Sequence, residues 1–128
     1  MLAIMNKTQT TVVEFIAKSE DTDEWKMVLV EEGPWIDSID MQLRRLQERL
    51  YNCVDAALDG QLAEKFPDSV GKKIVIQLDC YNLPRAEVAD FFDQFSRGAL
   101  STVDYQNALK QSRFIKGIAF EINFESIN

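Results

Sequence analysis

The chain has 128 residues, 46% of them hydrophobic and 27% charged, enough for one domain with a core and too few for two. It carries a net charge of −7 and no histidine. Ser-His and Cys-His catalytic pairs and imidazole metal ligands are therefore excluded, and an acidic surface repels nucleic-acid phosphates and anionic lipid headgroups.

The start, MLAIMNKTQTT, lacks the sustained apolar run of a secretory signal. No stretch approaches the ~20 apolar residues of a membrane span. A single domain over 1–128 is expected, with 1–9 flexible. TTVVEFIAKS (Thr10–Ser19) is rich in β-branched and aromatic residues and predicts a strand. EDTD is a polar turn, and EWKMVLVEE (Glu24–Glu32) alternates as a second strand, so an antiparallel hairpin is the natural pairing. Alternation puts Phe15, Trp25, Met27 and Leu29 on one face.

Charge is concentrated here. Between Glu14 and Asp40 there are nine acidic residues against two lysines, while the rest of the chain balances at twelve against twelve. Glu20, Asp21, Asp23, Glu24, Glu31 and Glu32 make this segment the candidate surface for a basic protein partner. A calcium loop is a poor fit, because Asp21, Asp23 and Glu24 crowd one short turn that has no glycine.

Gly33-Pro34 stops the strand, since proline lacks the ladder donor. Trp35 then admits two readings: a hydrophobic staple packed onto Ile39 or Met41, or an aromatic anchor in a partner interface. Asp37 or Ser38 can cap a helix running to about Asp59, where Gly60 ends it. Ile36, Ile39, Leu43, Leu46, Leu50, Cys53 and Ala57 draw one apolar stripe at 3-4 spacing, as a core-facing helix requires. A dimer seam of about three heptads is the alternative.

Residues 61–73 read as a loop with a short helical start. KIVIQLDCY (Lys73–Tyr81) is the clearest strand, with Ile74, Ile76, Leu78 and Cys80 on one face and Val75, Gln77, Asp79 and Tyr81 on the other. Pro84 suits the first turn of a second helix bearing Val88, Phe91, Phe92 and Phe95. Ser101 and Asp104 have capping-box spacing for a short third helix through Leu109. RFIKGIAFEINFE (Arg113–Glu125) closes the chain as a strand.

The order ββαβα(α)β predicts an α/β (α+β) two-layer sandwich: a four-stranded mixed sheet with helices on one face. The open face would carry Asp79, Tyr81, Glu121 and Glu125, the one place where paired carboxylates could do acid–base work or hold a small ligand. Cys53 and Cys80 fall on apolar stripes, so buried thiols in a reducing cytoplasm are expected, with a single disulfide left open. No phosphate-binding glycine motif or nucleophile elbow occurs, and no cofactor or metal is called for.

The segment PWIDSIDMQLRRLQERLYNCVDAALDGQLAEKFPDSVGKKIVIQLDCY resembles a family of small uncharacterised bacterial proteins with a W-x-D…LxxLQ…GQL…FP…GKK pattern. The matching residues are Trp35, Asp37, Leu43, Leu46, Gln47, Gly60, Gln61, Leu62, Phe66, Pro67, Gly71, Lys72 and Lys73. The resemblance covers Val30 to Phe95 and departs at Leu100–Ser112, which reads as an inserted helical excursion. It implies the same fold and a bacterial cytoplasmic setting, and carries no catalytic residues. The resulting expectation is a non-enzymatic acidic protein-binding module, in general character like a toxin-neutralising immunity or antitoxin-like protein. A ligand site on the open sheet face and a homodimer joined through that face are the alternatives.

Overall fold

The computed structural model describes residues 2–5, 10–13, 15–18 and 23–125. In chain order come β1 (Leu2–Met5), β2 (Thr10–Val13), β3 (Phe15–Lys18), β4 (Glu24–Glu32) and helix α1 (Ile39–Asp59). Helix α2 (Gln61–Lys65), a 3-10 turn at Pro67–Ser69, β5 (Lys72–Tyr81), α3 (Arg85–Gly98), α4 (Val103–Gln111) and β6 (Ile115–Glu125) follow.

The sheet order is β3-β4-β5-β6, and β1 and β2 form a separate antiparallel ribbon. The α+β class stands; a four-stranded mixed sheet was expected, and the mixing of directions is confined to one short edge strand. The body of the sheet is the three long strands β4, β5 and β6, all parallel. Only the four-residue β3 runs antiparallel, on the edge of β4. The physical reason lies in the connections. A hairpin needs a short turn, whereas β4 to β5 and β5 to β6 are each joined through helices, and a helical crossover returns the chain parallel. Two crossovers stepping the same way along a sheet, and of one hand, cover the same face.

The stretch anticipated as one strand over Thr10–Ser19 divides between the ribbon and the sheet. In β3 the register pairs Ile16 with Met27, so Ile16, not Phe15, joins the face of Trp25, Met27 and Leu29. Across the parallel ladder Met27, Ile76 and Phe120 stand in one row and Leu29, Leu78 and Ile122 in the next. Leu46, Leu50, Cys53 and Ala57 of α1 and Val88, Phe92 and Phe95 of α3 bury against this face. Each large aliphatic so buried contributes about 1.5–3 kcal/mol, which outweighs the surface charges of either helix.

The apolar stripe of α1 is buried only from Leu46 onward. Ile36 is 89% exposed and Met41 66%, and Ile39 is also exposed. Ile36 precedes the helix, so helical spacing does not carry to it. Trp35 is half-buried against the main core rather than set over a buried first turn. Ser38 occupies the N-cap position through its backbone, its carbonyl accepting from Gln42 N–H at 3.1 Å, without a side-chain bond. Gly60 ends the helix at φ 97°, and a Cβ there would lie 2.8 Å from the Phe114 ring. Helix α4 is capped one residue later than the spacing suggested. Thr102 Oγ1, not Ser101, accepts from Tyr105 N–H at 3.3 Å.

The second sheet face is not open at its centre. Val28 and Asp79 both lie on it and are only 1% and 8% exposed. Among the described residues no helix is long and apolar enough to cross a membrane.

Candidate functional site

Parallel strands bring their starts together at one end of the sheet and their ends together at the other. At the starting end Asp23 and Glu24 meet the lysines that open β5 and β6. Asp23 pairs with Lys72 at 3.9 Å and with Lys116, and Glu24 pairs with Lys73 at 3.6 Å. The acidic turn therefore draws on cations from distant segments. Glu20 and Asp21 lie outside the described residues.

At the finishing end Glu31 is corrected as an interface candidate, because it is buried, at 5% exposure. Its side chain turns back onto α1, where Oε2 lies 3.1 Å from both Arg45 Nη2 and Arg49 Nη1. Arg49 also donates to the Val30 carbonyl at 3.2 Å. A carboxylate can be withdrawn from water only when its charge and lone pairs are met, and two guanidinium groups do so here. Glu32 is exposed.

Gly33 follows. Its N–H donates to the Tyr81 carbonyl at 2.8 Å, and a Cβ on it would lie 1.9 Å from the Asn82 carbonyl oxygen. Two backbones touch here, which is why the chain carries a residue without a side chain. Trp35 then closes over the core, with its indole Nε1 shut from solvent and no hydrogen-bond partner among the described residues. The EEGPW stretch is thus chiefly the corner that locks β4 to β5 and α1.

The carboxylates on the second sheet face are also engaged. Asp79 Oδ1 accepts from Gln77 Nε2 at 3.0 Å and Asn123 Nδ2 at 3.1 Å. Lys26 Nζ reaches Gln77 and Glu121, both at 3.2 Å. This is one polar ladder across β4, β5 and β6, with Asp79 and Glu121 held by donors. Desolvation, and then the charges of Glu125, Asp79 and Glu32, push the Tyr81 phenol above its usual range. Glu125 instead lines a hollow of about 300 Å³ with Cys80, Asn82, Leu83, Arg85 and Phe124, and Arg85 lies 4.9 Å above the Phe124 ring.

Both cysteines are free and buried. Burial pushes the Cys53 thiol up to about 12, against a smaller opposing effect of Arg49. Burial, then Glu31 and Asp79, push Cys80 up to about 12 as well. A thiol that stays protonated is not a nucleophile. Among the described residues no cluster of three or more Cys, Asp or Glu is arranged to hold a metal ion.

Another cavity lies between the C-terminal half of α1 and α4. It has a volume of about 530 Å³ and is lined by Asp55, Leu58, Asp59, Gln61, Asp104, Tyr105 and Ala108. Tyr105 stacks on Tyr51 at 5.8 Å and donates its hydroxyl to Asp55 at 2.8 Å. Desolvation and that bond raise the phenol well above its usual range. Asp59 accepts from the Gln61 backbone and side chain at 3.1 and 2.8 Å. Among the described residues the lining thus holds three carboxylates over an apolar floor and no lysine or arginine. Sequence reasoning passed over this place. Asp55 and Asp59 stand one turn apart on α1, a visible signal, but Asp104 joins them only through the docking of α4.

Geometry and topology together define a small α+β protein whose sheet, parallel in its three long strands, is backed by helices. The chain belongs to a family of unknown function, DUF6572, which it matches over residues 5–113. The matched span runs through α4, so the segment anticipated as an excursion lies within the family region, and β6 lies beyond it. No curated protein and no solved structure matches the chain.

Proposed function

We propose that this protein is a non-enzymatic binding module of the bacterial cytoplasm that holds a basic protein partner, in the manner of a toxin-neutralising immunity or antitoxin-like protein. The observation that carries the reading is the cleft between α1 and α4, where Asp55, Asp59 and Asp104 line an apolar-floored hollow with no cation among its described lining residues. The acids first favoured for this role, Asp23, Glu24 and Glu31, are answered by Lys72, Lys73, Lys116, Arg45 and Arg49. A lysine or arginine from a partner would lay its stem on Leu58, Ala108 and Tyr105 and its charge among the aspartates.

The test is capture and titration of cationic proteins at low and high salt. A specific complex should weaken steeply with salt, and Asp55→Asn with Asp59→Asn and Asp104→Asn should lower affinity by tenfold or more, about 1.4 kcal/mol. Failure to recover any basic protein at low salt, or a triple variant that binds like the parent, sinks the reading.

A second reading has its own observation. The hollow at Cys80, Asn82, Arg85 and Glu125 sits beyond the carboxyl ends of β5 and β6, where parallel sheets commonly bind small ligands. It predicts a small anionic or zwitterionic ligand whose stabilisation of the fold is lost in Arg85→Ala.

A further inference from the structure

The long border of the sheet carries an inference independent of the acidic cleft. Strand β6 spans eleven residues, Ile115–Glu125, and is the last strand in the order β3-β4-β5-β6. Its inner edge pairs with β5 along the whole of Lys72–Tyr81. No described strand lies on its outer edge, so a row of backbone N–H and C=O groups faces outward there. Protein sheets normally blunt such a border with lysines, prolines, bulges or brevity. Here the one irregularity lies at the start, at Lys72/Lys73, and the one lysine, Lys116, is drawn off to Asp23. From Gly117 to Phe124 the strand has neither lysine nor proline and is half-buried throughout.

We infer that β6 is the seam of a homodimer, in which two copies of the chain pair their β6 strands antiparallel about a two-fold axis at Phe120. The strand's own sequence selects that axis. An axis at Phe120 pairs the regular stretch from Gly117 to Asn123 with its copy, clear of the irregularity before Gly117. Directly opposed residues then share a face: Ile118 meets Ile122 of the second copy, Phe120 meets Phe120, and Ala119 meets Glu121. A shift of the axis to Glu121 would set that carboxylate against its own copy, a like-charge pair directly opposed. With the axis at Phe120, Glu121 instead faces Ala119. The helix-side row continues a packing already present, since Phe120 stands edge-on to Phe92 and Phe95 at 6.4 and 5.3 Å. The partner on this border is thus a second copy, and the product is one sheet running through both chains. This seam differs from a dimer through the sheet face, whose centre is already closed by Val28 and Asp79.

Sedimentation equilibrium of the full chain tests the inference, with circular dichroism melts to show that each variant folds. The parent should sediment as two chains. Ala119→Glu places a second carboxylate against Glu121 of the other copy, twice by symmetry, and should weaken dimerisation by about tenfold. Ala119→Lys makes the same two contacts attractive and should tighten it by a similar factor. A parent that sediments as one chain at every concentration overturns the inference. So does a dimer that responds alike to both Ala119 variants, because its seam then lies elsewhere. A monomer that takes up another protein's strand on β6 overturns it too, since the occupant is then not a second copy.

Discussion

Glu31 and Arg49 form a buried ion pair: Oε2 lies 3.1 Å from Nη1, with the glutamate side chain 6% exposed and the arginine side chain 17% exposed. Removing Glu31 takes away the carboxylate that both guanidinium groups share. Glu31→Ala should therefore cost about 3–5 kcal/mol in denaturant unfolding. Arg45 reaches the same carboxylate from a more exposed position, and Arg45→Ala should cost no more than about 1 kcal/mol. Equal losses for the two substitutions would contradict this division of roles.

Trp35 offers a test of size against polarity. Its ring packs on the core while its N–H has no acceptor among the described residues. Trp35→Phe removes the unmet donor and keeps most of the ring, so thermal unfolding should show little loss or a small gain. Trp35→Ala empties the space and should cost about 3 kcal/mol, the lower end for large aromatic truncations because the residue is only half-buried. If both variants lose stability equally, the indole N–H has a partner and the packing argument fails.

Gly33→Ala should be among the most damaging single-methyl changes. The added Cβ meets the Asn82 carbonyl oxygen at 1.9 Å, and that oxygen belongs to the backbone of the turn after β5. Neither chain can yield without loosening the bond from Gly33 N–H to Tyr81. A loss of about 3 kcal/mol is expected, the upper range for overpacking, measured by urea unfolding. Gly98→Ala, where an added Cβ meets nothing, is the control.

The thiols set a pH dependence. Both cysteines have their pKa raised in the folded protein, from 9.0 to about 12, chiefly by burial. The folded state holds these protons more tightly than the unfolded chain does. Their contribution to stability is complete below about pH 9 and is lost as pH rises through 9 toward 12. Melting temperatures measured from pH 8 to 11 should fall, and fall less steeply in Cys53→Ala. Neither thiol should react with an alkylating reagent until the protein unfolds; rapid labelling of the native protein would show the burial argument wrong.

Much of the architecture was legible because strand and helix periods differ. Ile74, Ile76, Leu78 and Cys80 declare a strand, and Leu46, Leu50, Cys53 and Ala57 a helix. What alternation does not encode is direction. Trp25 opposite Ile74 in a parallel ladder follows from the helical crossover between them, and no local pattern distinguishes that from an antiparallel neighbour. Charge was misread for a related reason. Counting acids along Glu14–Asp40 ignored that Lys72, Lys73 and Lys116 begin the very strands that lie beside Asp23 and Glu24. The cleft at Asp55, Asp59 and Asp104 stayed hidden because its members come from two helices whose docking rests on Tyr51 and Tyr105.

The all-parallel body of the sheet has a consequence for how the chain reaches this state. Trp25 cannot find Ile74, nor Ile74 find Ile118, until the helical segment between them has been made and folded back. Loop closure must precede every long-strand contact, which slows collapse into the right register and prolongs the life of unpaired β-rich segments. During synthesis β4 waits for β5, and β5 waits for β6 at the very end of the described chain. The polypeptide therefore carries β4 and β5 without their full complement of neighbours until β6 has emerged.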